Sequence, residues 1–264
     1  MTTKELEGMV AVVTGVGRRA SIGAAVAREL AGAGAKLMLL YQRGYDTAQA
    51  WGSDPAMPAL LLEELAPSTE AYAEEVDLAE PGGANEVFTE VQRRFGFAQI
   101  LVNNACHWES GDLAATDAAQ LDRHYAVNTR APVLLCREFV RQLPRGAAGR
   151  IVNVTSGQGH APMPGEVAYA VTKASLDALT LTLAAELASR AITVNAVDPG
   201  PTDTGWMTDN VRAALIEASP SKTLATPRDT ARLVRMLVSD RASDATGQIL
   251  RVRPAPDDDG RASG

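Results

Sequence analysis

Tyr169 and Lys173 stand four residues apart in Tyr169-Ala-Val-Thr-Lys173. In a helix that spacing puts a phenol and an ammonium on one face. A phenol with a pKa of ~10 is a poor acid at neutral pH, and a close cation favours its phenolate and brings it toward the working range. Ser156 lies 13 residues before Tyr169, just past the strand-like run Arg150-Ile-Val-Asn-Val-Thr155. Strand ends in parallel α/β sheets point into the ligand crevice. Taken singly, each residue has an ordinary reading: the Tyr-Lys spacing arises in many helices, and Ser156 could cap a turn.

A second group sits near the start, in Thr14-Gly-Val-Gly-Arg-Arg-Ala-Ser-Ile-Gly23, between a first strand and a first helix. Glycines at such a turn let the backbone approach a pyrophosphate, and the helix N-terminus adds free N–H groups and partial positive charge. An NAD site usually has an acid about 20 residues on, for the ribose diol. Here that place holds Tyr41, followed by Gln42-Arg43. Arg18, Arg19 and Arg43 could instead face a 2′-phosphate, since Arg forks are the usual phosphate readers, or they could be solvated loop charges.

The elements that must position these groups alternate along the chain. Strands are expected at Met9–Val13, Lys36–Tyr41, Glu70–Val76, Gln99–Asn103, Arg150–Thr155, Ile192–Val197 and Gln248–Val252. Helices are expected at Ile22–Ala33, Pro58–Leu65, Pro81–Phe95, Asp117–Leu143, Val167–Ser189 and Pro227–Val238. Such alternation calls for parallel pairing with right-handed crossovers, a doubly wound Rossmann-type α/β fold with seven strands and helices on both faces. No polar linker divides the pattern, so residues 1–253 read as one domain, with 254–264 as a solvated, flexible tail.

The order of motifs resembles the short-chain dehydrogenase/reductase family, in the branch with a Tyr-x3-Lys pair, over roughly residues 8–252. Asn103-Asn-Ala-Cys106 is similar to the family's Asn-Asn-Ala-Gly, Asn128 stands at its fourth catalytic position, Asp77 matches its acid near the adenine, and Asp198-Pro-Gly200 matches its Pro-Gly turn. The resemblance implies that Tyr169 moves the proton at a carbonyl or hydroxyl oxygen, Ser156 holds that oxygen, Lys173 holds the nicotinamide ribose and acidifies Tyr169, and Asn128 holds a water. It also implies cofactor contacts from Gly15, Gly17, Arg18, Arg19, Ser21, Ile22, Gly23, Tyr41, Arg43, Asp77, Leu78, Asn104, Ala105, Tyr169, Lys173, Pro199, Gly200 and Thr202. NADP(H) is expected over NAD(H). Of the relatives, the 3-oxoacyl-carrier-protein reductases look closest, and a homotetramer or homodimer is the family default.

Three departures stand out. The interval from Gly15 to Gly23 is two residues longer than the usual loop, with Ser21 in place of the middle glycine, and this resembles carrier-protein enoyl reductases. Those typically use a wider Tyr-x6-Lys pair, so the pair here favours carbonyl over alkene reduction. Cys106 replaces a glycine, more readily as a small buried thiol than as a nucleophile. The Gln42–Met57 connection is long for this fold and carries Tyr45 and Trp51, which suggests an ordered flap near the adenine end.

Residues after the motifs are expected to line the substrate pocket: Cys106, His107, Trp108, Gln158, His160, Met163, Trp206 and Met207. His107 and His160 read as wall residues or as acid/base groups. Arg123, Arg130, Arg137 and Arg141 share a helix face that could dock an acidic carrier protein, be solvated, or meet another subunit.

Composition narrows the rest. Among 264 residues the net charge is −7, which argues against nucleic acid as partner. No apolar stretch reaches the ~18 residues of a membrane span, and the first residues do not read as a secretory signal. The two cysteines, Cys106 and Cys136, make neither a disulfide framework nor a zinc site, so a cytoplasmic location with no metal is expected. The leading function is an NADP(H)-dependent ketone/secondary-alcohol oxidoreductase on a small molecule. The alternatives are an epimerase or eliminating enzyme that oxidises transiently, and a catalytically silent dinucleotide-binding regulator.

Overall fold

Aliphatic runs with few polar interruptions become the centre of a sheet, because strands covered by helices on both faces need apolar side chains on both. In a computed structural model that describes residues 4–253, β1 (Val10–Thr14), β4 (Ile100–Asn103), β5 (Gly149–Val154) and β6 (Ile192–Asp198) are buried throughout. They are flanked by β2 (Lys36–Tyr41), β3 (Ala71–Glu75) and β7 (Ile249–Arg251), giving the order β3-β2-β1-β4-β5-β6-β7. Every pairing is parallel. The chain steps outward from β1 to β3, then returns to the other side of β1 as β4. The loops after β1 and β4 therefore part, and a crevice opens between them.

One sheet face is covered by α1 (Ile22–Gly32), α3 (Ala59–Leu65) and α9 (Pro227–Val238), around Val13, Leu30, Leu39 and Val234. The other is covered by α4 (Gly83–Phe95), α6 (Ala131–Gln142) and the far end of α7 (Val167–Glu186), around Val12, Leu101, Phe88 and Phe139. A buried polar chain holds α7 to the sheet. Asn103 Nδ2 donates to Asn153 Oδ1 at 2.9 Å, Asn153 Nδ2 donates to Thr180 Oγ1 at 2.9 Å, and Thr180 donates to the Leu176 carbonyl at 2.7 Å.

The structure departs from the sequence reading in three elements. The helix expected over Asp117–Leu143 is α5 (Ala118–Tyr125) followed by α6, with a widened π turn, Ala126–Arg130, between them. Two helices were not expected, α2 (Arg43–Ala48) and α8 (Asp209–Ala218). The first has six residues and α8 buries none of its own, so neither shows an apolar period. The tail at 254–264 lies outside the described residues. Among the described residues, no helix is long and apolar enough to cross a membrane.

Phe139 is 0% exposed and meets Phe88 edge-on at 6.4 Å. Phe139→Ala is expected to lower the unfolding free energy by about 3–5 kcal/mol in urea denaturation, because truncating a buried ring leaves a cavity. Leu113→Ala, at an 80% exposed side chain, should stay within about 0.5 kcal/mol of the parent.

Candidate active site

The crevice begins at a stitch between the ends of β1 and β4. The buried Thr14 hydroxyl accepts the backbone N–H groups of Asn104 at 2.9 Å and Ala105 at 2.8 Å. Asn104 Nδ2 returns a bond to the Thr14 carbonyl at 2.8 Å. Each of the three glycines has its own reason. Gly15 has φ +77°, and a side chain there would meet Asn104 Nδ2 at 2.7 Å. Gly23 packs α1 onto the Gly15 carbonyl with no room for a Cβ. Gly17 is pressed by a carboxylate, since a Cβ would lie 2.5 Å from Asp46 Oδ2. Ser21 caps α1 by accepting the Ala24 N–H at 3.1 Å, and Ile22 packs against the core.

The arginines divide. Arg18 pairs with Asp46 at 3.3 Å, donates to the Thr204 carbonyl at 2.8 Å and lies over the Trp51 ring. Arg43 pairs with Glu75 at 2.7 Å and lies over Tyr41 at the end of β2. Two of the three expected phosphate readers are thus held by carboxylates. Arg19 is exposed and makes no side-chain hydrogen bond or ion pair among the described residues; it lines a cavity of about 130 Å³ with Arg28, Met57, Leu60, Leu61 and Glu64. Asp77 accepts the Ala79 N–H at 2.8 Å and shapes the turn after β3, while Leu78 is buried.

At the other end of the crevice, α7 presents Tyr169 and Lys173, with the Ser156 side chain next to the phenol. Lys173 is 2% exposed, and Nζ donates to the Val154 carbonyl at 2.6 Å. Burial lowers its pKa. The Tyr169 phenol moves the opposite way from the sequence expectation. Burial pushes it up, the neighbouring Cys106 sulfur adds to this, and the nearby Ser156 hydroxyl partly opposes it. The physical reason is that desolvation of the phenolate outweighs any cation nearby.

Asn128 sits in the widened turn, and its amide is fully used. Oδ1 accepts the His107 N–H at 2.7 Å, and Nδ2 donates to the His107 carbonyl at 2.9 Å and to Thr172 Oγ1 at 3.1 Å. The side chain clamps the loop after β4.

That loop carries a charge relay of its own. His107 Nε2 meets Glu109 Oε1 at 2.6 Å, and Arg123 grips the same carboxylate through two bonds of 2.8 Å. Arg123, then His107, hold Glu109 down to about 2. His124 is buried edge-on beneath His107, with ring centroids 4.9 Å apart, and burial lowers its pKa. His107 is therefore a tied wall residue. Trp108 lies beside Glu166, whose carboxyl is raised by burial.

The remaining expected pocket residues are dispersed. Gln158 donates to Asp177 at 2.9 Å, and His160 approaches the buried Asp198 at 3.4 Å. Asp198 also accepts the Gly200 N–H at 2.8 Å, and Thr202 donates to the Pro199 carbonyl at 3.0 Å. Trp206 is exposed and donates to the Thr202 carbonyl at 3.2 Å, while Met163 and Met207 are half-buried. The four arginines offer no free common face: Arg123 holds Glu109, Arg130 donates to the Ala79 carbonyl, and Arg137 and Arg141 both pair with Glu138. Cys136 is buried against Asn103 and pushed up to about 12.

The sequence reading missed Asp46, Glu109, His124 and Glu166. It also misplaced the flap. Tyr45 of α2 reaches the loop after β4, where its hydroxyl accepts the Trp108 N–H at 3.1 Å. The flap therefore spans the crevice and is not confined to the adenine end.

Comparison with known proteins places the chain in a family. The family model described as enoyl-(acyl carrier protein) reductase matches residues 15–253. The chain is 40% identical to an uncharacterized oxidoreductase, YjdA, of Bacillus subtilis (strain 168), over 91% of this chain and 94% of that protein. The chain belongs to the short-chain dehydrogenase/reductase family. Its fold is similar to that of LugOII, a promiscuous reductase that catalyses keto-reduction at C1 in lugdunomycin biosynthesis, with a TM-score of 0.83 and 32% identity over 94% of this chain and 97% of that one. It is likewise similar to the angucycline C-6 ketoreductase LanV with bound NADP, with a TM-score of 0.82 and 31% identity over 94% and 95% of the two chains. As an oxidoreductase of this family it has the ketoreductase neighbours and the dinucleotide-binding fold that its motifs suggested.

Glu109 is expected to titrate near 2, as read by carboxyl NMR over a pH series. Because its folded pKa is depressed, the stability it adds is present above the ordinary carboxylate range and is lost as pH falls toward 2. Arg123→Ala should raise that titration back toward the ordinary range; an unmoved midpoint would show that Arg123 is not the cause.

Proposed function

We propose that the protein is an NADP(H)-dependent oxidoreductase that moves a hydride between the nicotinamide and a ketone or secondary alcohol of a small molecule. The observation that carries this reading is the half-buried Tyr169 beside Ser156, with buried Lys173 one turn along the same helix. Two hydroxyls side by side can hold the carbonyl oxygen of a ketone, and the phenol is the one that can give it a proton. Tyr169 gives its proton to that oxygen and Ser156 positions it. Asn128 fixes the wall at His107 and Trp108. In the reverse direction Tyr169 takes the hydroxyl proton.

The residues present fit a dinucleotide. The glycine turn leads into the N-terminus of α1, a position suited to phosphate. Gly15, Gly17, Ser21, Ile22, Gly23, Asn104 and Ala105 would hold the pyrophosphate and central riboses. Asp77 and Leu78 would take the adenine end. Lys173, with Pro199, Gly200 and Thr202, would take the nicotinamide end. When bound, the nicotinamide supplies or accepts the hydride. Of Arg18, Arg19 and Arg43, Arg19 is the one without a carboxylate partner among the described residues, so we assign the 2′-phosphate chiefly to it. The bound NADP of the LanV structure supports the same choice.

His107 and His160, which would serve an epimerase, are tied to Glu109 and Asp198. The arginines that could dock a carrier protein are paired or bonded to backbone. Both facts favour simple reduction of a free small molecule. Exposed Leu121, Tyr125, Val133, Val171 and Leu181 on α5, α6 and α7 support a homo-oligomer, and a cytoplasmic location and a single domain over residues 4–253 complete the reading.

Tyr169→Phe is expected to keep dinucleotide affinity and lose about 10²–10⁴-fold in kcat, measured by NADPH oxidation across a ketone panel. Half or more of the parent rate would remove Tyr169 from the chemistry. Arg19→Ala should weaken NADPH binding by about tenfold, the worth of one charge-assisted bond, and leave NADH binding unchanged. Arg43→Ala should do less than Arg19→Ala, because Arg43 already holds Glu75. Tighter binding of NADH than NADPH by the parent protein would overturn the cofactor choice.

A further inference from the structure

We infer that residues 42–57 form a clasped strap that gates dinucleotide exchange, an inference that rests on the dinucleotide reading above. The strap leaves the sheet at the end of β2 and rejoins the core at Met57, which is 1% exposed. Between these anchors it crosses the mouth of the crevice and fastens to the loops after β1 and β4, and through Arg18 to the loop after β6.

The first fastening is electrostatic. Asp46 is 8% exposed, and its Oδ1 receives both the Trp51 Nε1 proton at 3.1 Å and the Arg18 guanidinium at 3.3 Å. Its other oxygen rests on Gly17 of the glycine turn. Arg18 continues the link by donating to the Thr204 carbonyl beyond β6 at 2.8 Å, with its guanidinium 5.0 Å from the centre of the Trp51 ring. The carboxylate thus ties the strap to the turn before α1. The second fastening is at the loop after β4. The Tyr45 hydroxyl accepts the Trp108 N–H at 3.1 Å and faces the Trp108 carbonyl at 3.3 Å. Tyr45 lies 5.2 Å from His107, and Trp51 lies 6.4 Å from Trp108, centroid to centroid. Rings this close contact one another. They lock the strap and leave no slot between them for a substrate ring.

A bridge from the glycine turn to both opposite loops closes the route by which a dinucleotide reaches or leaves the crevice. Entry and exit both require Asp46 to part from Arg18 and Tyr45 to part from Trp108. Neither fastening belongs to the two hydrophobic cores, so the strap can open without unfolding the sheet. Gly52, at φ +69° with nothing within 4 Å of a Cβ, gives the backbone freedom near its centre.

The test is stopped-flow release of NADPH from the parent protein, with nucleotide fluorescence as the signal and excess NADP⁺ as the chase. Asp46→Asn and Trp51→Phe each loosen the first fastening while nearly keeping shape, and Tyr45→Phe loosens the second. Asp46→Asn should speed release by at least about tenfold, the factor expected from one charge-assisted hydrogen bond, and Trp51→Phe and Tyr45→Phe should each speed it at least threefold. Single-turnover hydride transfer from preloaded protein should be unchanged in all three. NADPH should also slow hydrogen exchange across residues 43–51. Release within twofold of the parent in every variant overturns the gate, as does unaltered exchange in the strap. A parent protein that binds no dinucleotide overturns the proposed function together with the gate, whereas binding with unaltered release overturns the gate alone.

Discussion

The hydroxyl of Thr14 holds together what the strand order pulls apart. At the switch from β1 to β4 the connecting loops leave in opposite directions, and an open crevice is the consequence. One buried oxygen, accepting two backbone N–H groups from the far side, sets how far it opens. Asn104 completes the tie from the other strand. The close approach forces glycine at 15 and 23 and fixes where α1 begins. The anion-binding end of α1, the turn before it and the loop that carries Cys106, His107 and Trp108 are all referenced to this stitch.

The proton chemistry is referenced to a different tie. The amide chain from Asn103 through Asn153 to Thr180 pins α7 against the sheet. It thereby fixes the rotation of the helix face that holds Tyr169 and Lys173. Burial then acts on the two groups in opposite senses, because each loses hydration in its charged form. The phenol keeps its proton and the ammonium becomes easier to neutralise. The Val154 carbonyl supplies the polar partner without which Lys173 could not stay buried.

Much of this was legible in the sequence, for a physical reason. Strands buried on both faces must be apolar, so β1, β4, β5 and β6 announced themselves, and the Tyr-Lys spacing is the pitch of a helix. Even the polar edge strand β3 was recovered. What could not be read depends on partners far along the chain. Arg18 finds Asp46 28 residues away and Arg43 finds Glu75 32 residues away, so neither the loss of the phosphate fork nor the destination of the strap is encoded locally. The same holds for Tyr169. Spacing showed the ammonium beside it, but the degree of desolvation is a property of the assembled site. The helices α2 and α8 are short or exposed and bear no period.

The widened turn at Ala126–Arg130 has a consequence for the helices on either side. An α-helix advances about 100° per residue, and one extra residue in a turn rotates everything beyond it by that amount. Upstream, α5 can aim Gln120 and His124 at the loop after β4. Downstream, α6 can aim Leu135 and Phe139 at the sheet. A continuous helix could not satisfy both directions with this sequence. The turn is a phase shift, and deleting one residue from it would bring the two halves into step and turn one of them away from its target.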